Sequence, residues 1–234
     1  MKFTFENLAE QLRQAISMGY SFLTCEEWAN GTNKSTTGKC IVLRVDVDEA
    51  LDRLPKLLEM FEGLHVKASI FVRLHGPYNI FSFENYRIIR NAISLGHEIG
   101  YHSEVVDQAA IWGESQADCL RRDIRVLTEI FDYKIVGVAS HGGRTGLNNL
   151  DFWRDHSPSE FGLLYEAYDR SESFGLFHKS LYISDSEWTQ WKSYWNGIRN
   201  EDDRRSLKEH LLENPKLVYL LIHPETFYAE HPYE

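Results

Sequence analysis

Apolar and polar positions alternate along this chain in blocks that predict strands and helices in turn. Short, nearly continuous apolar runs are typical of strands buried on both faces. Such runs predict seven strands, at residues 40–48, 66–74, 97–102, 135–140, 162–167, 176–184 and 217–223. Between them, apolar residues recur at helical spacing and predict helices at residues 49–63, 84–95, 114–131 and 202–212.

This order of strand and helix predicts a parallel sheet with helical crossovers. Seven strands in 234 residues suit a single-domain α/β fold, an incomplete or distorted (β/α)7-type barrel. Before the first long strand, residues 1–19 predict an amphipathic helix and residues 24–39 a polar loop. We therefore expect residues 1–39 to pack on a catalytic barrel formed by residues 40–234. Residues 145–159 predict a further long loop.

Composition and charge narrow the class of protein. The hydrophobic share of 43% supports a large core, and the net charge of −10 argues against nucleic acid as a partner. Three widely spaced cysteines without a CxxC motif favour a reducing compartment. The amino-terminal helix is too polar for a signal peptide, and no apolar run is long enough to span a membrane. We expect a cytoplasmic, soluble protein.

Polar side chains that can carry chemistry follow nearly every predicted strand. In parallel α/β folds, ligands bind where the carboxyl ends of the strands meet. The sequence therefore predicts a functional site at that edge of the sheet. Its candidate residues are Asp46, Asp48, Arg73, His75, His102, Glu104, His141, Asp185 and His223.

Histidines and acids are densest in the segment HEIGYHSEVVD. His102 and Glu104 are two positions apart, so on an extended strand both would face the same centre. His97 lies five positions before His102, and we expect it to cap the preceding helix or to lie on the surface.

Two aspartates share the end of the first long strand. Because two nearby carboxylates repel each other, a divalent ion would relieve the conflict by binding one and leaving the other to move protons. The alternative is that Asp48 caps the following helix. His223 precedes Pro224, which favours an extended backbone and suits either a general acid or a buried structural histidine.

Four motifs, in order, resemble those of the polysaccharide deacetylase superfamily, the NodB-homology or carbohydrate esterase family 4 group. LRVDVDEAL resembles the first motif, HVKASIFV the second strand, LGHEIGYHSE the second motif and LLIHPETF the last motif. The resemblance covers about residues 40–227.

The motifs also depart from the family pattern. Val47 separates two aspartates that are adjacent in the family, and Val106 stands where the second motif has a further histidine. The sequence is more similar to a divergent branch found with surface-polysaccharide (O-antigen) gene clusters. In this branch His141 of SHGG is the first candidate for the missing ligand, and Glu104 is the second.

The resemblance implies a metal-dependent hydrolase that removes an N-acyl group, such as acetyl, from an amino sugar. Asp48, His102 and either His141 or Glu104 would bind a divalent metal, with Zn²⁺ favoured. Asp46 would accept the water proton and His223 would protonate the leaving amine. Arg144, Asp185 and Trp188 would contact the substrate, and Arg144 or Asp185 would orient the catalytic groups. The substrate would be a carbohydrate or a nucleotide-linked or lipid-linked sugar.

Three other functions remain open at this point. The DxD after a strand also resembles haloacid-dehalogenase-like phosphatases, although Ala50 and the helical context of Asp202 and Asp203 fit that family poorly. A His-x-Glu pair with a distant histidine resembles the ligand triad of Fe(II) oxygenases, which are usually all-β. The third alternative is a degenerate deacetylase-like barrel that binds carbohydrate or a partner without hydrolysis, because the second-motif histidine is missing.

Overall fold

A computed structural model of the chain describes residues 3–32, 38–186 and 190–229. These residues form one sheet flanked by helices. The strands are β1 (Ser21–Leu23), β2 (Cys40–Val47), β3 (Ser69–Val72), β4 (Glu98–Ser103), β5 (Gly137–Ser140), β6 (Tyr165–Glu166), β7 (Leu181–Ser184), β8 (Lys192–Trp195), β9 (Ile198–Asn200) and β10 (Leu217–Ile222). The helices are α1 (Phe5–Ser17), α2 (Cys25–Ala29), α3 (Leu54–Gly63), α4 (Phe83–Ser94), α5 (Val105–Trp112), α6 (Gln116–Phe131), α7 (Leu176–Lys179) and α8 (Leu207–Leu211).

The sheet is predominantly parallel and does not close on itself. Its strand order is β6-β5-β4-β3-β2-β10-β7-β8-β9, and β1 lies beside the first half of β2. All pairs are parallel except those of the β8–β9 hairpin, which extends one end of the sheet. The seven strands from β2 to β7 and β10 correspond to the seven predicted strands, and the prediction of a distorted, incomplete barrel is confirmed.

Alternation along β2 explains how a buried strand carries charged residues. Ile41, Leu43 and Val45 belong to the larger apolar core, which contains residues of α1, α3, α4 and α6. Val42 belongs to a second core inside the curved sheet. Because side chains alternate along a strand, Asp46 falls on the same inner face as Val42. The inner face therefore changes from apolar to charged toward its carboxyl end.

Several local predictions were wrong. The predicted loop at residues 24–39 contains α2, which begins with a capping box formed by Thr24 and Glu27. The predicted helix at residues 202–212 is limited to α8, and the predicted loop at residues 145–159 contains the 3-10 helix Asn149–Arg154. The parallel sheet also excludes the all-β fold of the oxygenase alternative.

The proposed domain boundary after residue 39 remains a prediction. The amino-terminal part contributes β1, which pairs with β2 in parallel register. Across the ranges that the model describes, no helix is both long and apolar enough to cross a bilayer.

Candidate active site

Three side chains of types that can ligate a metal converge at the carboxyl ends of β2, β4 and β5. Asp48 follows β2, His102 lies near the end of β4, and His141 follows β5. Each offers one ligand atom, and these atoms all lie within 4.8 Å of one another. Such a set of one carboxylate and two imidazoles is a common ligand combination for divalent transition metals.

The orientation of His102 directs a lone pair into this cluster. Its Nδ1 lies 2.8 Å from the carbonyl oxygen of Ala139, which can only accept, so Nδ1 carries a hydrogen. In the neutral ring, Nε2 is then an acceptor, and it lies 3.0 Å from Oδ1 of Asp48. Two acceptors at this distance repel unless a cation or a proton lies between them. Burial lowers the pKa of His102, but the carboxylates of Asp46 and Asp48 outweigh it and raise the pKa.

Two atoms of the cluster are buried without a hydrogen-bond partner: Oδ1 of Asp48 and Nδ1 of His141. Buried polar atoms are normally satisfied, so the unsatisfied Oδ1 of Asp48, 3.0 Å from Nε2 of His102, fits a bound cation. Burial, and to a lesser extent the neighbouring His102, lower the pKa of His141 to about 4, so the ring is neutral at pH 7. The donor set therefore fits a divalent metal.

Asp46 lies beside the cluster and is held by Arg44. The guanidinium donates from Nε to Oδ1 at 2.7 Å and from Nη2 to Oδ2 at 2.6 Å, and both side chains are buried. Burial opposes ionisation, but Arg44 and then His102 lower the pKa of Asp46 below its usual value. Asp46 is therefore a carboxylate whose Oδ2 lies 3.3 Å from Nε2 of His102.

His223, which directly follows β10, also lies close to Asp48. Its Nδ1 is 2.6 Å from Oδ1 of Asp185, and its Nε2 is 3.9 Å from Oδ2 of Asp48. Burial opposes the charged ring, but Asp185 outweighs it and raises the pKa of His223 to about 10. The ring is therefore an imidazolium at neutral pH, with one N–H directed toward the cluster.

The remaining predicted residues lie at different distances from this centre. Glu104 is bound by Arg73 through two hydrogen bonds, at 3.1 and 2.6 Å, and lies outside the ligand cluster. Asp185 is fully buried behind His223. Arg144 is at the rim, with its side chain 54% exposed and Nε 3.9 Å from Glu104. Trp188 lies outside the described residues.

Of the two expectations about His97, the helix cap is confirmed and the surface position was wrong. Its backbone N–H donates to the carbonyl oxygen of Ala92 at 3.1 Å and so caps the carboxyl end of α4. The side chain is buried, and its Nδ1 accepts a hydrogen bond from the backbone of Ala68 at 3.1 Å. It precedes β4, at the opposite end of that strand from His102.

Two arginines hold the acids of the site: sequence reasoning missed Arg44, and it named Arg73 as a candidate without predicting its pairing with Glu104. Arg44 had a usable signal, because a charged residue two positions before Asp46 in a buried strand must share its face and needs a partner. Arg73 ended a predicted strand but had no indicated partner, since Glu104 is distant in the sequence.

No family model matches the sequence, and no curated protein matches it. The fold, in contrast, matches solved structures. A Streptococcus mutans CE4 esterase matches with a TM-score of 0.52 and 17% identity, over 86% of this chain and 79% of that one. The Streptococcus pyogenes deacetylase PplD in complex with acetate matches with a TM-score of 0.51 and 16% identity, over 68% of this chain and 70% of that one. By its fold, the chain is similar to the polysaccharide deacetylases of carbohydrate esterase family 4, as the motifs predicted.

Proposed function

We propose that this chain is a metal-dependent carbohydrate deacetylase, which hydrolyses the C–N bond of an N-acyl group, in particular acetyl, on an amino sugar. The observation that carries the proposal is the arrangement around Asp48. Two imidazoles complete a ligand set with it, while a buried carboxylate, Asp46, lies 3.3 Å from His102 and an imidazolium, His223, lies 3.9 Å from Asp48. Hydrolysis of an amide needs these three functions: electrophilic activation, a proton acceptor and a proton donor.

Asp48, His102 and His141 would hold the metal, and their mixed oxygen and nitrogen donors favour Zn²⁺. The chemistry supplied by a bound divalent ion is that of a Lewis acid, which lowers the pKa of a water molecule and polarises the acyl carbonyl. Arg73 keeps Glu104 out of this set by binding both of its oxygens. Glu104 remains a neighbour of His141, with Oε1 3.5 Å from Nδ1.

Asp46 and His223 would move the protons. Asp46 accepts one from the attacking water, and its ion pair with Arg44 keeps it ionised and therefore ready to accept. His223 donates the Nε2 proton to the amine nitrogen as the C–N bond breaks. The water oxygen becomes part of the released carboxylic acid, and the sugar leaves as the free amine. Asp185 keeps His223 protonated until this step.

A cavity whose lining residues Trp153 and Glu166 contact Ser140, at the end of β5, supports a carbohydrate substrate. Its volume is about 670 Å³, within the range typical of small-molecule sites. Trp153 and Tyr168 contribute aromatic faces to its lining, and Glu166 contributes a carboxylate. Trp153 also donates a hydrogen bond to Ser140, the residue before His141. We propose that sugar rings next to the acylated one occupy this cavity.

We further propose that the substrate is a nucleotide-linked or lipid-linked precursor in cytoplasmic surface-polysaccharide (O-antigen) biosynthesis. The support is the similarity of the motifs to the branch found with such gene clusters. The state of the cysteines also supports a cytoplasmic location. Cys25, Cys40 and Cys119 are all buried free thiols, as expected in a reducing compartment.

A second candidate function is a barrel that binds carbohydrate without hydrolysing it. Two observations favour it: Val106 replaces the further histidine of the family motif, and both oxygens of Asp46 already accept from Arg44. A base held in this way is weaker than a free carboxylate, because its ionised form is stabilised.

Incubation with Zn²⁺ and N-acetylated sugars, free and nucleotide-linked, distinguishes the two candidates. A deacetylase releases acetate and free amine in equal amounts, and His223→Gln slows this release by about 10²–10⁴-fold. His97→Asn, a buried histidine away from the site, serves as the control and retains activity. Binding of a sugar to the zinc-loaded protein with no release of acetate would instead identify the degenerate barrel.

A further inference from the structure

The loop after β5 carries His141, and one buried carboxylate accepts hydrogen bonds from this loop and from the residue that follows it. Asp107, in the first turn of α5, accepts from the backbone N–H of Arg144 at 3.0 Å and of Thr145 at 2.9 Å. It also accepts from Oγ1 of Thr145 at 2.7 Å and from Nδ2 of Asn149 at 2.7 Å. The same segment, HSEVVD, thus contributes a ligand, His102, and the anchor of another ligand's loop.

Asn149 is fully buried and connects the start of α5 to the backbone of His141. Its Oδ1 accepts from the backbone N–H groups of Val106 at 3.0 Å and Asp107 at 3.1 Å, which lie in the first turn of α5, where N–H groups have no acceptor within the helix. Its Nδ2 donates to the carbonyl oxygen of His141 at 3.2 Å as well as to Asp107. One side chain therefore links the start of the helix directly to the backbone of the candidate ligand.

The loop is also closed too tightly to admit a side chain at one position. A Cβ added at Gly143 would lie 1.5 Å from the carbonyl oxygen of Leu147, whereas one added at Gly142 would meet nothing within 4 Å. Contact between two backbone segments at this distance requires glycine. The path from His141 to Asn149 is therefore fixed at its start, its middle and its end.

We propose that Asp107 and Asn149 are positioning residues that hold His141 in the place of the third metal ligand. The inference rests on the proposed function. Position 106 is valine, so α5 supplies no imidazole, and the third ligand, His141, comes from a loop. A ligand on a loop must be immobilised to bind a metal well. Residues that orient metal ligands typically contribute about 10–100-fold in metal affinity.

The charge on Asp107 fits this role. Burial opposes its ionisation, but hydrogen bonds from Thr145, Asn149 and Arg144 lower its pKa below the usual value. The carboxylate can therefore accept from all of these donors at neutral pH. An asparagine at position 107 would place an NH₂ group where one carboxylate oxygen now accepts, and the hydrogen bonds to that oxygen would be lost.

The test is the zinc affinity of purified variants, measured by competition with a chelator and independent of catalysis. Asp107→Asn should weaken zinc binding by about 10–100-fold. In a His141→Ala background, where the imidazole is already gone, Asp107→Asn should cause no further weakening. Asp123→Asn is the matched control, because Asp123 is an equally buried acid that binds Tyr101 and Gln108 instead.

The outcomes separate this inference from the proposed function. If Asp107→Asn bound zinc as tightly as the wild type, the inference alone would be overturned. Equal losses of zinc affinity in Asp107→Asn and Asp123→Asn would also overturn it, because they would reflect general destabilisation. Additional weakening by Asp107→Asn in the His141→Ala background would also overturn it, because the effect would not pass through His141. A wild-type protein that binds no divalent ion would overturn both proposals.

Discussion

Asp185 contacts His223 twice, once at the ring and once at the backbone. Its Oδ1 lies 2.6 Å from Nδ1, and its Oδ2 accepts the backbone N–H at 2.9 Å. These two bonds leave only Nε2 of the ring to face the candidate metal site, and the carboxylate stabilises the protonated ring. The pair therefore sets both the orientation and the charge of the proposed general acid.

Replacement of Asp185 with asparagine should shift the alkaline limb of the pH–rate profile to lower pH. A general acid must be protonated, so activity falls as the pH rises through the pKa of His223, which is raised to about 10. Without the carboxylate that pKa falls. The measurement is kcat/KM against pH. Asp203→Asn, which alters a different His–Asp pair with His210, is the control. An unchanged alkaline limb in Asp185→Asn would exclude His223 as the acid.

Loss of the buried Arg44 should destabilise the fold strongly. Arg44→Met leaves Asp46 buried without its counter-ion, and breaking such a pair on one side typically costs about 3–5 kcal/mol. Urea denaturation measures the change. The double variant Arg44→Met/Asp46→Leu should recover much of the loss, because no charge then remains unpaired. Lys56→Met, which breaks an exposed pair with Glu59, should change little, and an equally large loss there would contradict the account.

Two adjacent glycines should respond differently to alanine. Gly143→Ala forces a Cβ against the carbonyl oxygen of Leu147, and overpacking of this kind typically costs about 1–3 kcal/mol. Gly142→Ala meets open space. The midpoint temperature of thermal unfolding and the zinc affinity should both be lower in Gly143→Ala and unchanged in Gly142→Ala. Equal behaviour of the two variants would show that the loop does not need its tight closure.

His97 should contribute to instability in acid. Burial, with a smaller effect of Lys67, lowers the pKa of the folded protein's His97 to about 4, while an unfolded histidine titrates near 6.5. The unfolded state therefore binds the extra proton first, and stability falls as the pH decreases from about 6.5 to 4. His97→Asn keeps an acceptor for Ala68 and should reduce this loss by up to about 3 kcal/mol. Urea denaturation at several pH values measures it.

The control for that comparison is His65→Asn, since His65 is exposed and has a left-handed backbone that asparagine tolerates. The free energy of unfolding of His65→Asn should depend on pH in the same way as that of the wild type. A wild-type pH dependence in His97→Asn as well would mean that the His97 ring does not stay neutral in the fold.

The sequence predicted the parallel strands because each is a buried apolar run, as in β2 and β10. It did not predict the β8–β9 hairpin, whose strands are short and partly exposed and pair without a hydrophobic period. It also missed α5, because the apolar residues at its start, Val105 and Val106, continue the pattern of the strand before it.

The site was predictable only to the level of individual strand ends. Asp48 and His141 each follow a strand of a parallel sheet and His102 lies near the end of one, which is why their convergence could be expected. What the sequence could not indicate is pairing between distant side chains. Whether Glu104 faces the metal or Arg73 depends on how β3 and β4 lie side by side, and that is a property of the folded sheet.

The central claim is that Asp48, His102 and His141 bind a divalent metal, and its most direct test is the metal content of purified protein by elemental analysis. Wild type should contain stoichiometric zinc or another divalent ion, and His102→Ala should lose it. His97→Asn, which changes a buried histidine at the other end of β4, should retain it. Wild-type protein without metal, even after reconstitution, or a His102→Ala variant that still binds it at full stoichiometry, would contradict the account.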